Sequence, residues 1–469
     1  MAKKQFIPPV KLGQALVLNK YLLHLFGCDK IEDLCKDLKD PALEGIDDED
    51  ISKFFYQLRF QLYRSSIKEA QLLEYDHHIV KFTKEINQRR THKIQWKYFQ
   101  YVSLLFTEIY LDLYFADSKK LLNDLNEFLK SRFVTEEGNW KEIAPFEEND
   151  LTKLAFWNAT GSGKTLLMHI NIKQFLFYQQ KYHAKKLNHI IVLTPNEGLS
   201  RQHLKGLQDS GFVAEIFSKQ AQDHFFKGQT IEVIDVNKLA LVDGDKTVAV
   251  ESFEGNNLVL VDEGHRGSGG DVWKGYRNTL TREGFSFEYS ATFGQAIAAQ
   301  SGASRDALLN EYGKSVIFDY SYRYFYDDGY GKDYRIMNMD PQGYGEYYNM
   351  YMTAYLLCLY EQMLVYDSTP RIRKEFLIAR PLGIFVGDKV TAVRTENKHA
   401  VSDVVQILFF IQDFIERPDE FALYIKRLLS YEDGIRSTEG YNLFADSFML
   451  CRDGMKEGQE MAYAHEVYQ

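Results

Sequence analysis

The stretch KLAFWNATGSGKTLLMHINIKQFLFY, residues 153–178, decides the fold of this chain. It opens with a short apolar run typical of a strand, continues through a loop that contains Gly161 and Gly163, and ends in a long apolar run typical of a helix. Glycines let backbone amides wrap around phosphates, and a helix N-terminus adds partial positive charge. The order strand, glycine loop, helix therefore predicts a phosphate-binding loop in an α/β domain.

Within this loop the side chains have separate expected roles. Lys164 would reach the β- and γ-phosphates of a nucleoside triphosphate, and the Thr165 hydroxyl would bind Mg²⁺. Asn158 stands where such loops usually carry their first glycine. The residues expected to contact nucleotide are Thr160, Gly161, Ser162, Gly163, Lys164 and Thr165.

Further apolar runs follow at intervals, bounded by Gly, Pro and Asn and separated by segments with helical spacing. Strands that are apolar on both faces and alternate with helices predict a parallel sheet covered on both sides. Ligands of such sheets bind at the carboxyl ends of the strands. The runs are NHIIVLT (188–194), TIEVIDV (230–236), NLVLVDE (257–263) and FSFEYSA (285–291).

Two of these runs end in polar side chains suited to triphosphate chemistry. Asp262 is expected to hold Mg²⁺ and Glu263 to orient or deprotonate the attacking water. His265 follows in the same loop, either as part of the site or as a surface-turn histidine. Ser290 and Thr292 end the later strand, and their hydroxyls could couple the nucleotide site to a neighbouring lobe.

Composition narrows the class of protein. A net charge of −10 argues against a globally basic nucleic-acid binder, although basic residues can still line one groove. Four scattered cysteines without a CxxC pair favour reduced thiols over a zinc site or a disulfide framework. Apolar runs never approach the length of a membrane span, so we expect a cytoplasmic protein with no membrane partner.

Changes in periodicity along the chain predict four regions. Residues 1–92 have helical spacing and form a helical N-terminal domain, 93–296 the first nucleotide-binding lobe, and 297–375 a linker or insert. Residues 376–469 open a partial second α/β lobe, in which PLGIFVGDKV (381–390) is a strand and VSDVVQILFFIQDFI (401–415) its following helix.

Taken together, the motifs resemble those of superfamily 2 helicases. Within that superfamily the chain looks most like the DEAD/DEAH-box family that includes the Res subunit of type III restriction enzymes, over roughly residues 95–469. The closer resemblance lies in FWNATGSGKTLLMH (156–169), DGYGKDY (328–334) and PLGIFVGDKV. The four core motifs are TGSGKT (160–165), TPN (194–196) with Arg201-Gln202, DEGH (262–265) and SAT (290–292).

The resemblance implies a RecA-like P-loop fold and ATP-driven translocation on nucleic acid, with ATP and Mg²⁺ as cofactors and DNA favoured over RNA. Thr194, Asn196 and Arg201 become candidate contacts to the nucleic-acid backbone, and such contacts do not depend on base sequence. A solvated helix residue is the alternative for Arg201. Gln100 resembles the glutamine that reads adenine in this family, and an ordinary helix-surface glutamine is its alternative.

Two departures from the family pattern bear on activity. No Gln-x-x-Gly-Arg-like element, which would carry an arginine facing the γ-phosphate, follows Gly387. The nuclease pattern with which Res subunits end is also missing. We therefore expect the front part of a longer protein that hydrolyses ATP weakly on its own and works with a methyltransferase or nuclease partner.

Two other functions compete with the motor. A small-molecule kinase would use the same P-loop but has no need of DEGH, SAT or a second lobe. A scaffold module of a restriction or defence complex, which binds nucleotide but is catalytically incomplete, stays open because the arginine element is missing.

Overall fold

The computed structural model divides into two compact units, Met1–Lys332 and Asp333–Gln469. It describes residues 10–132, 143–217, 230–240, 247–264, 271–334, 336–339, 344–376, 378–385, 394–396, 399–401 and 403–469.

A parallel sheet is the centre of the first unit. Among the described residues it has seven strands in the order β3-β4-β2-β7-β8-β1-β9, and every neighbouring pair is parallel. The strands are β1 Lys153–Asn158, β2 Ile190–Thr194, β3 Ala214–Ile216, β4 Ile231–Asp235, β7 Leu258–Asp262, β8 Phe285–Ser290 and β9 Val316–Tyr320, with a separate short pair of β5 Leu239–Ala240 and β6 Val248–Ala249. The predicted α/β fold, RecA-like with a parallel sheet and a P-loop after β1, is confirmed.

Helices cover this sheet. All six residues of β8 and all five of β2 are buried, which explains the apolar run of β2. The helices of the first unit are α1 Val17–Leu25, α2 Ile31–Cys35, α3 Lys53–Arg59, α4 Glu69–Asn87, α5 Tyr98–Arg132, α6 Lys164–Lys181, α7 Glu197–Asp209, α8 Asp271–Leu280, α9 Phe293–Ala298, α10 Gly302–Ser315 and α11 Tyr322–Asp327.

The N-terminal helices share one hydrophobic core with the sheet. Leu22 of α1, Leu105 of α5 and Phe156 of β1 are fully buried in the same cluster. A buried carboxylate also joins the helices, because Glu108 of α5 accepts hydrogen bonds from Gln174 and Tyr178 of α6, each over 2.7 Å. Pairing of this kind offsets the cost of burying the carboxylate, so α5 is part of the platform that holds α6.

The segment 297–375, expected to be a linker or insert, contributes to the sheet. Its strand β9 pairs with β1, and Ala159 donates its backbone N–H to the carbonyl of Tyr320 over 2.8 Å. The boundaries at residues 92, 296 and 375 stay predictions, whereas the compact unit itself reaches Lys332.

A buried ion cluster lies next to the strand end that carries the acidic pair. Arg277 of α8 has a side chain 1% exposed and pairs with Glu288 of β8 over 2.8 Å and with Glu311 of α10 over 2.7 Å. Burial opposes ionisation of Glu311, but Lys153, Arg277 and Lys274 hold the pKa of its carboxyl well below the usual value. These charges fix α8 and α10 against the sheet.

The second unit is helical over most of its described residues. It contains α12 Tyr344–Ser368, α13 Pro370–Glu375, α14 Asp403–Glu416, α15 Pro418–Leu429, α16 Met449–Gly454 and α17 Glu460–Tyr468, with one antiparallel pair of β10 Arg394–Glu396 and β11 His399–Val401. The helix predicted over 401–415 is confirmed as α14.

The strand predicted over PLGIFVGDKV is wrong for residues 381–385, which form no strand. Leu382 is 78% exposed and Ile384 73% exposed, so this apolar run is not buried in a sheet as its composition suggested. Residues 386–390, including Gly387, lie outside the described residues.

Two further features concern membrane-spanning helices and cysteines. No helix in the described ranges is both long and apolar enough to cross a membrane. All four cysteines, Cys28, Cys35, Cys358 and Cys451, are free thiols.

Candidate nucleotide site and motor face

The P-loop runs from the end of β1 to the first turn of α6. Gly161 (φ 86°) and Gly163 (φ 90°) both have left-handed backbone, which glycine adopts without steric cost. The Lys164 ammonium lies 3.3 Å from the carbonyl oxygen of Asn158 and therefore folds back over the loop. This is the geometry predicted for a loop that surrounds phosphates.

Gln100 of α5 contacts this loop directly. Its Nε2 donates to the carbonyl oxygen of Ser162 over 2.8 Å, and its Oε1 accepts from the backbone N–H of Lys97 over 3.0 Å. A Cβ added at Gly163 would lie 2.5 Å from Gln100 Nε2, so any other residue there would displace the Gln100 amide. Gln100 is half-buried and bonded to the loop, and adenine reading stays a prediction.

Asp262 ends β7 and Glu263 follows it. The charges of both carboxylates act on the P-loop lysine, Lys164. Burial raises the pKa of the Asp262 carboxyl, but the hydrogen bond and charge of His203 and the charge of Lys164 bring it below its ordinary value. Burial lowers the pKa of Lys164, and Glu263 and Asp262 oppose that change without cancelling it. Lys164, Asp262 and Glu263 therefore share one electrostatic environment.

The backbone at Glu263 is unusual, with φ 55° in the left-handed region. Residues other than glycine rarely adopt it, and such strain concentrates at functional sites. The Glu263 N–H donates to Asp262 Oδ1 over 3.1 Å. The turn thus holds one oxygen of the Asp262 carboxylate.

His203 of α7 completes the surroundings of Asp262. Its Nε2 lies 2.9 Å from Asp262 Oδ2, and its side chain is only 3% exposed. An ionised carboxylate only accepts hydrogen bonds, so the imidazole donates from Nε2. His203 belongs to no motif and was not predicted from sequence, although Ser200, His203 and Leu207 have helical spacing and form the buried face of α7. That spacing could have indicated an inward-facing histidine.

The residues present fit a Mg²⁺-bound nucleoside triphosphate. Mg²⁺ prefers hard oxygen ligands such as a carboxylate and a hydroxyl, and Asp262 and Thr165 carry these groups. Unsatisfied polar atoms are also buried at the loop: Ser162 Oγ and both amide atoms of Asn158 have no partner among the described residues. Buried polar groups of this kind need partners, and phosphate oxygens could accept from the Ser162 hydroxyl and from Asn158 Nδ2.

The SAT element packs against the P-loop strand. Ser290 pairs in register with Trp157 of β1, and the Trp157 indole donates to the carbonyl oxygen of Ala291 over 3.1 Å. Ser290 Oγ accepts from the N–H of Thr292 over 3.0 Å. The structure thus brings this element to the same sheet edge as the P-loop, and a coupling role for Ser290 and Thr292 stays a prediction.

The candidate nucleic-acid contacts divide into two kinds. The Thr194 hydroxyl is fully buried and lies 2.6 Å from Ser200 Oγ, so it fastens α7 to β2 and is not presented to a ligand. This corrects the expected contact at Thr194. Asn196 is exposed and caps α7, accepting from the Leu199 N–H over 3.0 Å. Arg201 is 73% exposed and pairs with Glu197 over 2.9 Å.

His265 lies outside the described residues, so its placement stays a prediction.

Comparison with known families identifies the central segment. Residues 115–295 match the family model described as "Type III restriction enzyme, res subunit". This segment is similar to the Res-type domain that the model describes. The match includes the P-loop, TPN, DEGH and SAT elements, and it confirms the resemblance that their residues predicted.

Two solved structures align with this chain over more than half of its length. One is the Sulfolobus solfataricus SWI2/SNF2 ATPase core in complex with dsDNA, at 10% identity and a TM-score of 0.27, over 60% of this chain and 66% of that one. The other is the Pyrococcus furiosus Hef helicase domain, at 15% identity and a TM-score of 0.29, over 73% of this chain and 68% of that one. The chain spans slightly less than two thirds of the first structure. At such scores the fold assignment depends on the sheet topology and the P-loop alone. No curated protein sequence matches the chain.

Proposed function

We propose that the chain is the ATP-hydrolysing motor of a nucleic-acid translocase or helicase, with DNA as its polymer. The observation that carries the proposal is that the P-loop, with Lys164 in its first helical turn, and the strand-end Asp262 lie at the same carboxyl edge of the parallel sheet. A P-loop lysine and a strand-end carboxylate pair are the groups that triphosphate hydrolysis requires.

The proposed chemistry converts ATP to ADP and phosphate. Bound Mg²⁺ would neutralise charge between the β- and γ-phosphates, and Thr165 and Asp262 are the residues that would hold it. Lys164 binds the terminal phosphates, and Glu263 orients the attacking water and accepts its proton. Gln100 supports the loop from the side of α5.

ATP turnover measured without polymer and with single-stranded DNA, double-stranded DNA or RNA tests this proposal. We expect Mg²⁺-dependent turnover that rises when DNA is added. Transfer of phosphate to a small-molecule acceptor would instead establish a kinase. Nucleotide binding with no turnover under any condition would overturn the motor and leave the scaffold.

Asn196 and Arg201 support contact with the nucleic-acid backbone, because both are exposed at the first turns of α7. Phosphate contacts release counterions, so affinity should fall as salt rises and vary little with base sequence. Removing one phosphate contact lowers the salt slope by about 1. We expect this for Arg201→Ala but not for Arg59→Ala, an exposed arginine on α3. Equal slopes for both variants would contradict the assignment.

A cytoplasmic location and a methyltransferase or nuclease partner belong to the same proposal. The free cysteines support the location, and the Res-type domain supports the partner.

A further inference from the structure

Helix α7 connects two different surfaces of the first unit. Its first turns carry Asn196 and Arg201, which are exposed to solvent. Its buried face carries His203, whose imidazole bonds the Asp262 carboxylate over 2.9 Å. One short helix therefore bears both the candidate nucleic-acid contacts and a direct partner of the candidate metal ligand.

Side-chain hydrogen bonds to neighbouring elements hold α7 near both of its ends. At the start, Ser200 Oγ lies 2.6 Å from Thr194 Oγ1 on β2. After the end, Ser210 Oγ lies 2.8 Å from His169 Nδ1 of α6 and accepts from Arg90 over 2.6 Å. Because the helix is held at both ends, a force at its first turns would displace it as a whole. Fraying of the ends would cost these bonds.

A small shift of α7 is enough to change the bond to Asp262. Hydrogen bonds weaken steeply once the donor and acceptor leave their narrow range of distance and angle. Asp262 Oδ1 already accepts from the Glu263 N–H, so His203 controls the other oxygen of the same carboxylate. Losing or restoring the His203 bond therefore rotates the carboxylate that would hold Mg²⁺.

We infer that His203 is a positioning residue that couples nucleic-acid binding on α7 to the metal-binding orientation of Asp262. The inference rests on the proposed function and adds a route by which the polymer regulates hydrolysis. His203 itself contacts neither nucleotide nor polymer. Partners that orient a metal ligand in this way typically change metal affinity or activity by about 10–100-fold when removed.

Substitutions of His203 that differ in how far a hydrogen-bond donor extends toward Asp262 test this role. In His203→Gln the amide nitrogen extends about as far as Nε2 and can still donate to Asp262. In His203→Asn the side chain stays polar but the amide falls short, and in His203→Leu no donor remains. The matched control on the same helix is Asp209→Asn, at an exposed residue of the last turn.

Two readouts are needed, and one of them does not require turnover. The first is the Mg²⁺ concentration that half-saturates binding of a fluorescent ATP analogue. The second is the ratio of ATP turnover with and without double-stranded DNA. Oligonucleotide affinity and thermal unfolding are measured beside them.

For His203→Leu and His203→Asn we expect the half-saturating Mg²⁺ concentration to rise by about 10-fold or more. We also expect stimulation by DNA to disappear while oligonucleotide affinity is unchanged. His203→Gln and Asp209→Asn should behave like the parent protein. If His203→Leu fails to fold, the contrast between the Asn and Gln variants still decides.

Parent-like Mg²⁺ dependence and stimulation in His203→Asn would overturn the inference and leave the proposed function standing. Equal loss of Mg²⁺ affinity and DNA stimulation in the Gln and Asn variants would also overturn it. The distance from the side-chain donor to Asp262 would then have no effect. A parent protein that shows no Mg²⁺-dependent nucleotide binding would overturn the proposed function itself, and with it the inference.

Discussion

The side chain of Gln100 donates from Nε2 to the backbone carbonyl of Ser162 over 2.8 Å, so the first turn of α5 supports the phosphate loop. The two residues are 62 positions apart in the sequence. The helix before the sheet is therefore part of the candidate nucleotide site.

Gln100→Ala should weaken nucleotide binding without abolishing it. A hydrogen bond of this kind contributes about 0.5–1.5 kcal/mol, which corresponds to about a 2- to 12-fold loss of affinity. Titration with a fluorescent ATP analogue measures the effect. Gln95→Ala, at an exposed glutamine just before α5, is the matched control, and equal losses in both variants would contradict the contact.

Lys164→Ala and Glu263→Gln should separate binding from chemistry. The first removes the charge at the terminal phosphates and should abolish Mg-ATP hydrolysis. The second leaves Asp262 and nucleotide binding intact but should slow hydrolysis by about 10²–10⁴-fold, the usual contribution of a positioned base.

Glu254→Gln is the control for Glu263, because Glu254 also has left-handed backbone (φ 58°) and is exposed. Binding and single-turnover hydrolysis are measured on each protein. Parent-rate hydrolysis by Glu263→Gln would disprove its role.

His169 should make the protein less stable in acid. Burial lowers the pKa of its imidazole from 6.5 to about 3, and the charges of His203 and Arg90 add to this. The folded-state pKa of His169 is lower than the unfolded one, so the folded state disfavours the protonated imidazole. The contribution of the neutral imidazole to the free energy of unfolding is therefore fully present above pH 6.5 and is lost as pH falls toward 3. Each unit of pKa difference corresponds to about 1.4 kcal/mol.

Urea unfolding of His169→Asn across this pH range checks the sign. Its free energy of unfolding should vary less with pH than that of the parent protein. His183 is exposed to solvent, so His183→Asn is the matched control and should keep the parent profile. An unchanged slope in His169→Asn would refute the assignment.

Arg277→Met should destabilise the first unit strongly. The substitution leaves Glu288, which is fully buried, without its closest cationic partner. Breaking a buried pair from one side costs about 3–5 kcal/mol. Arg282→Met, at a side chain 60% exposed, should change stability by less than about 0.5 kcal/mol. Chemical denaturation of both variants measures the difference, and similar values would contradict the cluster's importance.

The local parts of the site could be predicted from sequence. A left-handed turn needs glycine at residues 161 and 163, and an apolar strand followed by Asp262 and Glu263 places carboxylates at a strand end. These features depend on neighbours in the chain, so the P-loop and the parallel sheet were evident without a structure.

The composition of a segment did not predict whether its side chains are buried, because burial depends on residues that are distant in the sequence. The run at 381–385 is as apolar as a strand, yet its side chains are largely exposed and it pairs with no strand in the described residues. Thr194 ends a strand like the other motif residues, but packing buries its hydroxyl against Ser200.

The amino-acid sequence by itself determined the nucleotide-binding loop, the order of strands and helices around it, and the identity of its acidic pair. Only the tertiary structure decided that Gln100 supports the loop and that His203, 59 positions before Asp262, orients its carboxylate. Helical and strand periodicity act between near neighbours. Contacts between remote residues exist only after the helices have packed on the sheet, because that packing sets the distances at which their polar atoms meet.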